Sequence, residues 1–301
     1  MQFKIAVPDL VSNSYFPAVA AVELGHFKKE GLDVSVEFIS PIEKAYLALK
    51  NREVQFVAGS AHSALSCFQE WVDVKLVCAL SQGMYWSLVM RSDGGLAHRD
   101  LKGLRQCSIA AAPWVGIAFR RILIESGIDP VISGISIAPA PKSIADGVNF
   151  GLAAADALAG RTVDGFWANN MAAEVAIRRG YGSLVLDIRR GDGPPGCFDY
   201  TFASLAARAD LLEQLPDIAA AAKRAIAGTL RDLSADPSRA THIARPLFPQ
   251  FATDIIADLV ARDVPFYNTD ITNAAVDGLN RFAMNAGLAK NAKPYSELVA
   301  S

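Results

Sequence analysis

The stretch Val22–Phe38, VELGHFKKEGLDVSVEF, changes character twice within a few residues. An Ala-rich apolar helix ends at Gly25, then an aromatic, two lysines and a glutamate lead to a second glycine, Gly31. Beyond it Leu32, Val34, Val36 and Phe38 alternate with other residues, the period-two pattern of a strand. A helix that stops on a left-handed glycine and resumes at once as a strand is the middle of a βαβ crossover. In this reading Phe27 folds back as an apolar stopper, while Lys28, Lys29 and Glu30 face water. Upstream, Ser12-Asn13-Ser14 forms the tip of the first strand. Ser14 is expected to cap the helix, with Pro17 in the first turn, where no N–H is needed.

Outward from this unit, short apolar runs alternate with helical patterns through most of the chain, which predicts an α/β fold with mainly parallel sheets. One group of strands reads FKIAV, VSVEFI, VQFVAG, VKLVCAL and WSLVMR. After the bridge DGGLAHRDLKG come CSIAAA, ISIAPA, VDGFWA and LVLDI. A loop, RRGDGPPG, closes the second group; DYTFASLAAR reads as one more strand, and the rest is helical. The expected architecture is two-lobed. Residues 1–91 and 197–301 form the first lobe with its C-terminal helices, and 92–196 form the second. Gly- and Pro-rich crossovers near 92–95 and 191–196 are expected to serve as a hinge.

An internal echo supports two lobes. LKNREVQFVAGS (49–60) and LAGRTVDGFWAN (158–169) place Leu49, Arg52 and Val54 where Leu158, Arg161 and Val163 fall. Each ends at a strand tip followed by a helix start, with Ser60 and Asn169 as expected N-caps.

Composition removes several function classes. The chain has 301 residues, 29 basic and 31 acidic, spread evenly, which argues against a nucleic-acid surface. No apolar run reaches the roughly 18 residues of a membrane span. Cys67, Cys78, Cys107 and Cys197 show no metal-ligand spacing, and no metal or cofactor is expected. MQFKIAVPDL is not a signal peptide, so the chain reads either as cytoplasmic or as an extracytoplasmic domain whose export signal has been removed.

Two segments carry a family resemblance: GHFKKEGLDV, and DLKGLRQCSIAAAPWVGIAFRRILIESGID. With NREVQFVAGSAHSAL, LAGRTVDGFWANNMAAEVAIRRGYG and GLAKNAKPYSELV in order behind them, nearly the whole chain resembles the NMT1/THI5-like substrate-binding proteins of ABC importers. These take nitrate, sulfonates, taurine or pyrimidine precursors. The resemblance implies two α/β lobes of the periplasmic-binding-protein type closing on a small molecule, and an importer permease as partner to a monomer. Some relatives are enzymes, and a cytosolic decarboxylase or pyrimidine-processing enzyme is the alternative. The desulfinase relatives use a cysteine after the first strand; here PDLVSNSY has none, and the paired histidines of the yeast synthase are also missing.

Ligands of open α/β sheets bind at the carboxyl ends of the strands, where helix N-termini offer free N–H groups. The expected ligand-binding residues are therefore Ser12, Asn13, Tyr15, Phe16, Ser60, His62, Gln82, Tyr85, Trp86, Trp114, Trp167, Asn169, Asn170, Phe198, Asp199 and Tyr200. Three of the four tryptophans fall at these tips, and flat faces suit a planar ligand. Trp167 in particular falls too late in its strand for a plain core residue. No Lys or Arg lies in these segments, so a neutral or singly anionic aromatic or heterocyclic molecule in the interlobe cleft is expected. No nucleophile or paired acid and base is present, which favours binding over catalysis.

Overall fold

The computed structural model describes residues 2–141 and 150–300. Along the chain run β1 (Gln2–Val7), α1 (Phe16–Glu23), α2 (His26–Lys29), β2 (Asp33–Phe38), α3 (Ile42–Lys50), β3 (Phe56–Ser60) and β4 (Val74–Ser81). There follow β5 (Trp86–Arg91), β6 (Ser108–Ala110), α4 (Pro113–Glu125), β7 (Ser136–Ala138), α5 (Phe150–Ala159), β8 (Gly165–Asn169), α6 (Asn170–Arg178) and β9 (Gly182–Asp187). The chain ends with β10 (Ala203–Arg208), α7 (Ala209–Gln214), α8 (Asp217–Ala235), α9 (Arg239–Ala244), α10 (Gln250–Asp263), α11 (Asn273–Asn285) and α12 (Tyr295–Leu298). It divides into two units, Met1–Gly83 with Asp199–Ser301, and Met84–Phe198.

The first unit is built on the sheet β2-β1-β3-β10-β4. β1 runs parallel to β2 and β3, and β10 lies antiparallel between β3 and β4. Ile5, Phe56, Leu76 and Leu205 are fully buried in it. The opening stretch folds as its glycines require. Gly25 and Gly31 sit at φ 72° and 78°, and a Cβ at either would meet open space, so conformation alone demands glycine there. Phe27 is buried and Lys28 and Lys29 are exposed. Glu30 departs from the expectation of a solvated knuckle: it pairs with Arg224 of α8 at 2.7 Å. His26 Nε2 lies 3.0 Å from Asp232 Oδ2 on the same helix. The knuckle is thus where the long helix α8 is fastened to the βαβ unit.

The second unit carries the sheet β7-β6-β8-β5-β9. β5 pairs antiparallel with β8 and β9, which moves it out of the first lobe, where the sequence reading had put it. Chain order misled: β5 follows β4 in sequence, yet its hydrogen bonds all belong to the second sheet. The units therefore divide after Gly83 and Phe198 rather than near 91 and 196.

The two sheets repeat one another. Each orders its parallel strands 2-1-3 and 4, with one antiparallel strand inserted before the last. The inserted strands share a pattern, SLVMRSD (87–93) and SLAARAD (204–210). Their registers also match, Ser87 opposite Ala168 and Ser204 opposite Gly59. Arg52 and Arg161, paired by the sequence echo, are both left-handed, at φ 68° and 57°. Each donates its backbone N–H to the leucine three residues earlier, Leu49 at 3.1 Å and Leu158 at 3.0 Å. The Arg52 guanidinium meets Asp210 at 2.8 Å, and Arg161 meets Asp93 at 2.8 Å. Arg208 and Arg91, at the ends of the inserted strands, hold the same two aspartates. One departure separates the copies. Asn169 Oδ1 accepts from Ala172 N at 3.1 Å as an N-cap should, but Ser60 makes no cap bond. Its hydroxyl lies 2.6 Å from that of Ser63, and a 3-10 turn, Ala61–Ser66, replaces the α-helix.

Candidate functional site

In the first unit the carboxyl ends of β1, β3 and β4 meet the amino end of β10, since Ala203 pairs with both Ser60 and Ser81. The β1 tip turns tightly: Tyr15 N and Phe16 N both donate to Ser12 O, at 3.0 and 2.9 Å. Tyr15, not Ser14, is the N-cap of α1, and it makes no side-chain cap bond. The turn places Ser14 one position too early for its hydroxyl to serve. Ser12 Oγ, Asn13 Oδ1 and Ser14 Oγ are consequently all buried with no hydrogen-bond partner. Asn13 Nδ2 donates to Asp263 Oδ2 at the end of α10, and Tyr267 OH donates to Asn13 O at 2.7 Å.

The remaining first-unit residues are braced from behind. His62 is fully buried, with Nδ1 3.0 Å from Thr201 Oγ1 and its ring edge-on to Phe282 at 5.3 Å. Phe282, on α11, stacks face to face on Tyr200 at 4.7 Å. Asp199 is half-buried beside α11, and that burial pushes its carboxyl above the usual range, with Arg281 opposing. Phe16 is buried against Phe248 at 5.9 Å, and Tyr15 is buried as well. Gln82 is committed elsewhere: its Nε2 donates to the carbonyls of Asn268 and Asp270, tying that segment to the end of β4.

In the second unit the corresponding edge is aromatic. Trp86 pairs with Asn169 across β5 and β8, and Ser87 Oγ donates to Asn170 Oδ1. Trp167 is fully buried, stacked on Phe119 of α4 at 5.1 Å and edge-on to Trp86 at 6.3 Å. It is packed within this unit, contrary to the reading that it comes too late in the strand, because Phe119 of α4 lies flat against it. Its Nε1 has no hydrogen-bond partner, and neither has Asn170 Nδ2. Tyr85 packs on Trp86 at 5.0 Å. Trp114 is half-exposed at the start of α4, and Phe198 is half-buried at the end of the unit.

Two charged residues were missed. Arg189, just past the tip of β9, is buried with its guanidinium 5.6 Å from the centre of the Tyr85 ring. The strand LVLDI was legible, and the next residue beyond it is this cation. Asp263 had no local signal, since it reaches the β1 tip from a helix about 250 residues later. Among the described residues no cluster of three His, Cys, Asp or Glu could hold a metal ion. No helix among them is long and apolar enough to cross a membrane.

Two αβ units of one topology, with polar and aromatic side chains massed at the carboxyl edges of their sheets, are the architecture of the periplasmic-binding-protein fold. The family model described as NMT1/THI5 like matches residues 12–240, and the chain belongs to that family. The alkanesulfonate-binding protein SsuA of Xanthomonas axonopodis pv. citri, solved with MOPS bound, superposes with a TM-score of 0.74. Identity is 11%, over 99% of this chain and 96% of that one. The periplasmic nitrate-binding protein NrtA of Synechocystis PCC 6803 gives 0.70 at 14% identity, covering 98% and 83%. The Candida albicans CA3427 gene product, described as having the generic periplasmic binding protein fold, gives 0.66 at 11%, covering 97% and 92%. No curated protein matches the chain.

Proposed function

We propose that the chain is a solute-binding protein that captures a small organic molecule outside the cytoplasm and delivers it to an ABC-type importer. Family membership supports this reading, as do neighbours whose own names assign them alkanesulfonate or nitrate. The observation that carries it is the trio Ser12, Asn13 and Ser14, three polar side chains at least 99% buried whose oxygens lack partners. A buried polar group left unmade costs about 1–3 kcal/mol, so three in succession are held ready for something that supplies the missing bonds. Such open valences at the start of a helix suit a ligand better than they suit a core.

The ligand proposed is planar, aromatic or heterocyclic. In the second unit Tyr85, Trp86 and Trp114 offer flat faces, and Asn169 and Asn170 offer paired donors and acceptors for its edges. The protein acts as a monomer with a permease as its partner. A thermal-shift screen against a broad metabolite library tests the binding, and mass spectrometry of the recovered ligand tests the absence of chemistry. A ligand that raises the melting temperature and returns unchanged is expected. A product would instead favour the enzyme reading, and a library with no hit would overturn both.

A further inference from the structure

Asn13 is the one member of the trio whose hydrogen-bonding role is not free to rotate. A serine hydroxyl can turn to donate or accept, but an amide has a donor end and an acceptor end. Which end points where is set by the chemistry of its neighbours. Here the neighbour decides it. Asp263 is a carboxylate, which accepts, so the amide must give it Nδ2, as the Asn13–Asp263 hydrogen bond records. Asp263 is 1% exposed, and Arg262 Nε stands 3.5 Å from its other oxygen. Tyr267 fixes the backbone of the same residue through its bond to Asn13 O. Oδ1 is left facing away from Asp263, 99% buried with its residue, accepting from nothing.

An acceptor held this way repels the oxygens of a sulfonate or nitrate, which are themselves acceptors, and is satisfied only by an N–H or O–H. We infer that Asn13, oriented by Asp263, selects ligands that present a donor nitrogen to the first unit: an amide, an amine or a ring N–H. A bare oxyanion is rejected at that position. This inference rests on the solute-binding reading and narrows it. It sets the chain apart from neighbours named for oxyanions, with which it shares a fold at 11 to 14% identity. Asn13 touches the ligand; Asp263 acts through Asn13 and is a positioning residue.

Matched probes test it. Benzamide and benzoate share a ring and differ in the donor, as do benzenesulfonamide and benzenesulfonate. Calorimetric titration of the whole protein with all four gives a donor-to-oxyanion affinity ratio for each pair. Wild type is expected to favour the donor probes roughly tenfold to a hundredfold, the range set by a buried acceptor left without a donor. In Asp263→Asn the Asn13 amide can turn over, and the ratio should fall to near one or invert. In the exchanged pair Asn13→Asp with Asp263→Asn, the amide at 263 donates to the carboxylate at 13, which again presents an acceptor, and the preference should return. A merely structural Asp263 would lower all four affinities together and leave the ratio unmoved. An unmoved ratio, a wild type that prefers the oxyanions, or no binding of any probe overturns the inference while a library hit keeps the solute-binding reading standing. A protein that binds nothing in either experiment overturns that reading as well.

Discussion

The two units share a topology, a strand register and an arginine-aspartate clamp, and differ at the edge where the strands end. The first ends in hydroxyls, an oriented amide and a carboxylate: Ser12, Asn13, Ser14, Ser60 and Asp263. The second ends in aromatic rings and amides: Tyr85, Trp86, Trp167, Asn169 and Asn170. The clamp stands at the other end of each sheet, where Arg52 and Arg161 start a strand and Asp210 and Asp93 follow one. Residues that hold a strand in register are repeated, and residues that face whatever the sheet presents are not. The support differs too. The second edge rests on a stack of its own, Trp167 on Phe119, whereas the first leans on α11, which the chain adds only at its end.

The largest expected effect separates these two kinds of support. Trp167→Ala removes the centre of the second unit's stack, and the fold should lose about 3–5 kcal/mol, the usual cost of truncating a buried Trp. Guanidinium denaturation measures it. A loss under about 1 kcal/mol would mean that the indole packs nothing, and would restore the sequence reading of it as a ligand face. Next is Gly278→Ala on α11. A Cβ there would come within 2.3 Å of Asp199 Cβ and 2.7 Å of its carbonyl oxygen. The backbone of the first edge must move, at a cost of roughly 1–3 kcal/mol. An unchanged midpoint would show that α11 is not what braces that edge.

The clamp should respond alike in both units. Arg52→Gly and Arg161→Gly each relieve a left-handed side chain and lose an exposed ion pair, two effects of about 1 kcal/mol or less with opposite sign. Both midpoints are expected within about 1 kcal/mol of wild type and close to each other. A large loss in one alone would break the equivalence. The smallest effect is a pH dependence. Burial raises the Asp199 carboxyl above its ordinary value, so the native state holds that proton more tightly than the unfolded chain does. The associated stability is present in acid and lost as pH rises through the native value. Asp199→Asn should therefore melt higher than wild type at neutral pH, and the gap should close below the ordinary carboxylate range. Parallel melting curves across that range would show that the residue is not desolvated.

Much of the fold was legible because its signals are local. Gly25 and Gly31 specify a backbone shape by themselves, and the ten strands among the described residues stand where apolar runs marked them. The echo at Arg52 and Arg161 is visible as spacing, whereas its partner motif lies in two strands at opposite ends of their units' chain order, SLVMRSD at 87–93 and SLAARAD at 204–210. The unit boundary failed at β5 because pairing is a long-range property: nothing in WSLVMR says that it bonds to residues 165–169 and 182–187. The site was legible in part for the same reason. Strand tips could be counted, which gave Ser12, Asn13 and Asn169. Whether a tip residue faces open space or lies under a distant segment could not be counted, and so neither the packing of Trp167 on Phe119 nor the bonds of Gln82 to residues 268 and 270 had a local signal. Asp263 defines the role of Asn13 from the far end of the sequence.

The inserted strand of the first sheet has a consequence for how the molecule is made. β10 lies between β3 and β4, and its residues follow β3 by more than a hundred positions. Until residue 203 has been synthesised the first sheet has a slot in its middle, and β4 lacks β10, its strand neighbour among the described residues. The second unit is one continuous segment, and its inserted strand comes first, so it can close while the first is still open. Closing the first costs a long loop, which slows formation of such non-local pairings. Amide protection during refolding is therefore expected at Val89 and Phe166 before Val57 and Ala206. The unit that begins at the amino terminus is the one that finishes last.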